Sequence, residues 1–394
     1  MRDDVQCPAC GAPGAEVFHH EPSVPANSCL LLADPQEARD FPRGELLLAF
    51  CRRCGFITNT RFDPALAEYS SRYEETQGFS ERFMRFARDL AKRWVDRYDL
   101  HGKSVLEIGC GKGEFLELMV EAGVGHGTGI DPGVNPDRTR EDLGDRLTWI
   151  ADFYSQDYAH LQADAVVCRH TLEHISDVRG FLQMIRAAIG DRTETVVLFE
   201  LPDVLRVLRE VAFWDVYYEH CSYFSAGSLA RLFRACGFEV LDVSLDYDDQ
   251  YLLLEAKPST IPAPGEPLPI EDDLEALAEG VAHYAESYPR MLQTWRRDLA
   301  ELRAAGKKAG IWGAGSKGVA YLNSLGDAAG IEYAVDINPF KHGMYMAGTG
   351  QRIVAPELLV DYRPDRVIAM NPVYLGEIGE DLERLGVDAE LVAV

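Results

Sequence analysis

No stretch constrains this chain more than Val105-Leu106-Glu107-Ile108-Gly109-Cys110-Gly111-Lys112-Gly113-Glu114-Phe115. Its apolar start predicts a strand buried in a parallel sheet, and Gly109, Gly111 and Gly113 let backbone amides crowd against a ligand before a helix begins at about Glu114. That is a binding loop in an α/β fold. Turns of this kind serve several phosphate- and nucleoside-bearing ligands, so glycine spacing alone does not choose among them.

The acids around the loop do choose. Glu107, just ahead of the glycines, would repel a pyrophosphate and suits a ligand that carries an amino group and a sulfonium. A second predicted strand, Gly127-Thr128-Gly129-Ile130, ends in Asp131, well placed to accept hydrogen bonds from two ribose hydroxyls. Asp152 and Phe153 offer a carboxylate for an adenine amino group and a ring for its face. Together these residues resemble the class I S-adenosylmethionine-dependent methyltransferases, which implies S-adenosylmethionine as the methyl donor.

With 394 residues, 47% of them apolar, the chain has material for two or three cores. A formal net charge of −25 and the lack of any Lys/Arg cluster argue against nucleic acid as a partner. No apolar run approaches the roughly 18 residues that span a bilayer, and residues 1–4 open no signal peptide. A soluble cytoplasmic protein, monomer or homodimer, is expected.

Of nine cysteines, four form two CxxC pairs, Cys7 with Cys10 and Cys51 with Cys54, each followed by glycine. Two such knuckles brought together give tetrahedral thiolate coordination, so zinc is expected, and without an open position its role is structural. Cys29, Cys110, Cys168, Cys221 and Cys236 read as small buried apolar residues.

The patterns divide the chain into a zinc-binding module over 1–75, a methyltransferase domain over 76–258 and a C-terminal helix plus Rossmann-like substrate-binding domain over 259–394. The proline-rich break at 257–267 separates the last two. Phe79, Phe83, Phe86, Leu90, Trp94 and Tyr98 recur on one side of a helix expected between 63 and 100. Its polar preamble, 68–77, with Tyr73, is expected to close over donor or substrate, or else to be a solvated connector. Strands at 163–169, 195–200, 238–244 and 251–256 complete a doubly wound sheet of about seven with an antiparallel edge. His170, past the first of these, is expected to touch the donor, whereas His174 reads as a packing histidine.

A long amphipathic helix over 270–305 leads into a second glycine turn, Gly313-Ala314-Gly315-Ser316-Lys317-Gly318. Its GxGxxG spacing, with Asp336 following near the usual distance, invites NAD. Lys317 inside the loop, and the lack of chain for a second mononucleotide half, argue against it.

The segment Phe213-Trp214-Asp215-Val216-Tyr217-Tyr218-Glu219-His220-Cys221-Ser222-Tyr223-Phe224-Ser225 is too dense in aromatic and titratable groups for an ordinary loop. Methyl transfer needs placement and a base. His220, with an ordinary pKa near 6.5, suits that base, and Glu219 or a tyrosine could orient it. A structural Glu219–His220 pair is the plain alternative.

In chain order, the two knuckles, the Glu-x-Gly-x-Gly-x-Gly loop, Tyr217-Tyr218-Glu219-His220 with Ser222-Tyr223-Phe224-Ser225, and the tail turn with Val335-Asp336-Ile337-Asn338-Pro339 resemble the sugar C-methyltransferases. That family acts on nucleotide-linked keto-deoxysugars. The resemblance implies His220 as the base that takes a proton at C-3 beside a C-4 ketone, with Glu219 and Tyr217 as its neighbours. It also implies that the tail loop of Gly313, Ser316 and Lys317 helps to hold a nucleotide diphosphate. Tyr218 departs from the family's histidine, and 170–174 from its asparagine-containing version. O-methylation of a sugar or natural product competes with this reading, as does, from another class, an NAD-binding oxidoreductase.

Overall fold

The computed structural model describes residues 5–70, 72–138, 140–261, 265–326 and 330–394. Residues 1–4, where no signal peptide was expected, and 262–264, in the proline-rich break, lie outside them. Along the described chain the strands are β1 Glu16–Pro25, β2 Arg43–Phe50, β3 Ile57–Asn59, β4 Ser104–Ile108, β5 His126–Ile130, β6 Leu147–Ile150, β7 Ala165–Arg169, β8 Val196–Pro202, β9 Ser222–Tyr223, β10 Phe238–Asp246, β11 Tyr251–Pro258, β12 Ala309–Trp312, β13 Tyr333–Val335, β14 Arg352–Val354, β15 Arg366–Ala369 and β16 Glu390–Ala393.

Seven of them form the central sheet, in the order β10-β11-β8-β7-β4-β5-β6. Because β4 pairs in parallel with both β5 and β7, the glycine turn after β4 opens at the switch point of the sheet, where a doubly wound fold leaves a crevice. Both faces are covered, which is why these strands read as apolar runs. On one face Phe83, Leu90 and Trp94 of the helix Glu81–Arg97 pack against Val105, Phe115 and Leu198. On the other, Leu182 and Ile185 of the helix Val178–Ile189 pack with Leu106 and Cys168.

Two expectations are corrected here. Phe79 does not join the helical stripe; it precedes the Ser80 cap and is 40% exposed. The antiparallel strand is not at the edge either. β11 runs antiparallel to both β8 and β10, because β10 lands at the edge first and the hairpin returns β11 into the gap. The result is the class I methyltransferase architecture that the donor loop implied.

The N-terminal sheet, β1-β2-β3-β9, takes its last strand from far along the chain. β9 belongs to the segment that carries His220, and it pairs Tyr223 with Ile57 and Ser222 with Thr58. The cysteine knuckles and the chemistry segment are therefore mechanically joined.

The long helix Leu274–Ala304 leads to the tail sheet, β14-β13-β12-β15-β16, parallel throughout. The sequence left no room for a second half, yet β15 and β16 extend the sheet past β12. It is Rossmann-like and one strand short of the six-stranded dinucleotide fold. Among the described residues no helix is long and apolar enough to cross a membrane.

Candidate functional site

A cavity of about 1190 Å³ runs from the carboxyl end of β4 to the tail loop. Glu107, Gly109 and Gly111 line one end, Tyr217 and His220 its wall, and Gly313, Ser316 and Lys317 the other end. Asp131, Asp152, Phe153, His170 and Tyr73 also face it. Two expected site residues do not. Gly113, with φ of 88°, caps the helix Glu114–Glu121 and lies against Trp149, leaving no room for a side chain. Glu219 is 1% exposed and sits behind the wall.

At the donor end, glycine is required at 109 and 111. With φ of 72° and 53°, a side chain there would be strained, and a Cβ would strike Thr171 at the first and Glu75 at the second. Asp131 accepts hydrogen bonds from the Gly111 amide at 3.0 Å and the Gly133 amide at 2.6 Å, which shapes the loop. Glu107 Oε2 is buried with no hydrogen-bond partner. Burial pushes the Glu107 carboxyl up to about 8 against the pull of Arg169. Burial likewise takes Glu75 up to about 7, opposed by Lys112. Carboxyls driven towards protonation, one with an orphaned oxygen, beside a cradle bare of side chains, fit a donor that brings its own positive charge.

Asp152 accepts from the Phe153 amide at 2.8 Å and the Tyr158 hydroxyl at 2.6 Å, and Phe153 stands 59% exposed at the rim. His170 reaches the cavity in a left-handed conformation, φ 47°, with Nε2 2.8 Å from Glu200. Burial works against its proton, but Glu200 and Glu173 outweigh burial and bring its pKa to about 9. Glu200 also takes Arg169 Nε at 2.6 Å, so His170 belongs to a buried charge network as well as to the cavity wall.

The chemistry segment is anchored by Phe213 and Trp214, both buried in the core. Tyr218 points away from the cavity, 1% exposed, and its hydroxyl accepts from the Asp63 amide at 2.7 Å. His220 is edge-on to His174, ring centroids 4.7 Å apart, with Tyr217 at 4.2 Å. Burial, reinforced by His174, His170 and Lys317, holds His220 well below its ordinary pKa, so its ring is neutral near pH 7. Burial keeps the Tyr217 phenol protonated. Glu219 does not orient His220. It accepts from the Ser28 amide at 2.9 Å, the Ser28 hydroxyl and Tyr73 at 3.1 Å.

Tyr69, Ser70, Tyr73, Glu75, Thr76 and Gln77 of the connector line the cavity. Tyr69 bonds His174 Nδ1 at 2.8 Å, and buried Glu74 accepts from Arg138 at 2.6 Å and Asn338 at 2.8 Å, tying the stretch after β5 to the tail. From the tail, Lys317 pairs with Asp215 of the chemistry segment, which also pairs with Arg206. Asp336 is already filled by the amides of Ala314 and Asn338, each at 2.9 Å, and by Lys341 at 3.3 Å.

Away from the cavity, Cys7 and Cys54 lie 3.6 Å apart through sulfur, as do Cys10 and Cys51, and all four sulfurs fall within 4.8 Å of one another. A metal–sulfur bond of about 2.3 Å sets the edges of a tetrahedron at about 3.8 Å, so the four thiols fit a zinc ion.

Residues 79–243 match the family model of a methyltransferase domain, and 271–389 that of a C-methyltransferase C-terminal domain. Over 363 residues, 88% of this chain and 85% of the relative, the sequence is 28% identical to the C-methyltransferase NovU of Streptomyces niveus. The chain is similar to the C-methyltransferases over most of its length. It is an S-adenosylmethionine-dependent methyltransferase. A shorter match, 35% identical over 100 residues, joins 23% of this chain to 42% of the ubiquinone biosynthesis O-methyltransferase of Actinobacillus pleuropneumoniae serotype 7 (strain AP76). Among solved structures, the 1,6-didemethyltoxoflavin-N1-methyltransferase of Burkholderia thailandensis aligns over 44% of this chain and 78% of its own, with 19% identity and a TM-score of 0.36. Nothing is carried over from so loose a fit.

Sequence reasoning passed over two residues that line the cavity, His174 and Glu75, and one behind its wall, Ser28. His174 read as packing, yet it meets His220 and Tyr69; its position just past β7 was the signal. Glu75 was legible as part of a polar connector, though not as a donor-side carboxylate. Ser28 had no signal at all, because its partner Glu219 lies 191 residues away.

Proposed function

We propose that this methyltransferase methylates carbon in a nucleotide-linked keto-deoxysugar, with His220 as the base. One observation carries the reading: a neutral histidine faces a single cavity that joins the donor glycines to the tail loop. Glu107 would hold the amino-acid end of S-adenosylmethionine, Asp131 its ribose, and Asp152 with Phe153 its adenine. The bound donor supplies the methyl group as an electrophile. The chain's own residues make the nucleophile: His220 takes the proton at C-3, beside the C-4 ketone. Tyr217, still a phenol, donates a hydrogen bond to the ketone oxygen as charge gathers there. Ser316 and Lys317 would meet the diphosphate, and the four knuckle thiolates would hold structural zinc. Free thiols throughout suit the cytoplasm.

The test is exchange. In D₂O, with a nucleoside-diphosphate 4-keto-deoxysugar, the chain is expected to exchange the C-3 hydrogen for deuterium, read by NMR, and to yield a C-methyl product once the donor is added. A product carrying its methyl on oxygen, without exchange, would mean O-methylation.

Donor binding is expected to depend on pH. With a pKa of about 8, Glu107 is largely protonated at pH 6, whereas a cationic ligand wants the carboxylate. Affinity for S-adenosylmethionine should therefore rise between pH 6 and 8, by up to about tenfold per unit. Glu107→Gln should lower and flatten the profile; a flat wild-type profile in calorimetry removes Glu107 as the donor's partner. NADH should show no micromolar affinity, because Asp336 has no free face for a ribose; tight NADH binding would revive the oxidoreductase reading.

A further inference from the structure

Beyond the four thiols, one other group among the described residues gathers three potential metal ligands: Glu173, His174 and His220, whose ligand atoms lie within 4.8 Å of one another. Glu173 and His174 sit just past the end of β7, and His220 comes from the chemistry segment, so two separate loops converge. All three line the cavity.

We propose that Glu173, His174 and His220 form a divalent-metal site for borderline cations such as Zn²⁺, Ni²⁺ or Co²⁺, and that filling it switches methyl transfer off. The second half rests on His220 being the base.

The carboxylate is the independent pointer. Glu173 is 2% exposed, and neither of its oxygens has a hydrogen-bond partner. The nearest cation, His170 Nδ1, stands 3.6 Å away, too far for a hydrogen bond. A buried carboxylate is ordinarily paired or on a metal. This one has the ion pair with His170, keeps both oxygens free of hydrogen bonds, and lies beside two imidazoles.

The histidines suit the role. A metal-bound histidine typically gives its second ring nitrogen to a neighbour that fixes its orientation. His174 Nδ1 is already bonded to the Tyr69 hydroxyl at 2.8 Å, which leaves Nε2 for a ligand. His220 lies edge-on to His174, with ring planes at 89° and centroids 4.7 Å apart. Metal–nitrogen bonds of about 2.1 Å place ligand atoms about 3 to 4 Å apart, so small rotamer shifts close the set. Two imidazoles and one carboxylate prefer borderline transition cations to Mg²⁺ or Ca²⁺, and three protein ligands leave positions open towards the cavity. His170, the charged neighbour of Glu173, opposes the cation, so binding should be weaker than at the four thiols.

The consequence for catalysis is direct. A ligated imidazole nitrogen has given up the lone pair with which it would take a proton. Metal at this site should therefore remove the base without disturbing the donor end of the cavity.

Full-length protein already loaded with zinc at the thiols is titrated with Co²⁺, followed by calorimetry and visible absorption. The expected result is one further equivalent, with a nitrogen/oxygen spectrum that lacks thiolate charge transfer. Glu173→Gln and His174→Gln should each weaken it at least tenfold, with thermal unfolding confirming that both variants fold. Methyl transfer should fall in step with occupancy and recover when excess free histidine strips the Co²⁺. Absence of a second equivalent, a thiolate band, or binding indifferent to both substitutions overturns the site. Co²⁺ bound at full stoichiometry with turnover unchanged overturns the switch alone. The exchange assay in metal-free buffer reports separately on His220 as base.

Discussion

His220→Ala is expected to lower methyl transfer by about 10² to 10⁴, the usual worth of a positioned general base, while S-adenosylhomocysteine affinity stays essentially unchanged. The split follows from geometry. The donor loop is shaped by bonds that His220 does not enter: the Gly109 amide to the Ile130 carbonyl at 2.8 Å, and the Gly111 and Gly133 amides to Asp131. Removing the ring therefore empties the wall between donor and acceptor without loosening either end. C-3 deuterium exchange should vanish together with turnover, since both need the same proton removed. The pH profile adds a check that a purely structural role would not pass. Because burial, with His174, His170 and Lys317 as neighbours, disfavours the charged ring, the acid limb of kcat/KM should fall well below pH 6.5, the ordinary histidine value. Retention of more than about a tenth of wild-type turnover, or an acid limb at the ordinary value, would take the base assignment away from His220.

How far sequence sufficed depends on the reach of the interactions. The donor loop was legible because strand, glycines and acids lie within one local pattern: backbone sterics demand glycine at 109 and 111, and burial makes β4 apolar. The knuckles were legible for the same reason, each being a turn a few residues long. What escaped was set by contacts between distant segments. Gly113 fits the same motif as its neighbours, yet Trp149 fills the space beside it. Glu219 sits next to His220 in sequence, but Ser28 and Tyr73 claim its carboxylate, and side chains at successive positions need not face the same way. The resemblance implies that Lys317 helps to hold a diphosphate. Only the fold shows that Asp215 and Arg206 share its surroundings. The position of β11, one in from the edge, likewise reflects the order in which β10 and β11 fill the sheet, which periodicity does not encode.

Cys51→Ser should release bound metal and lower the melting temperature by more than about 10 °C, since structural zinc contributes on the order of 10 kcal/mol to small modules. The two knuckles are near copies: Gly11 bonds back to the Cys7 carbonyl and Gly55 to that of Cys51, each at 2.8 Å. Each turn is preorganised, and the sulfurs of Cys7 with Cys54 and of Cys10 with Cys51 meet across them at 3.6 Å, placed for a shared ion. The effect should reach the chemistry. Cys51 directly follows β2, and the second knuckle leads within a few residues into β3. That strand holds β9 through Ile57 and Thr58, and the Asn59 amide bonds the Cys221 carbonyl at 2.9 Å, one residue from His220. A loosened knuckle therefore frees the strand that positions the base, while the donor loop rests on the separate central sheet. Turnover should fall further than S-adenosylhomocysteine affinity does, and a chelator strong enough to strip the thiolates should reproduce the pattern in the wild-type chain. A Cys51→Ser protein with unchanged melting, in a chain that carries no zinc as purified, would show that hydrogen bonds and packing alone hold the knuckles together.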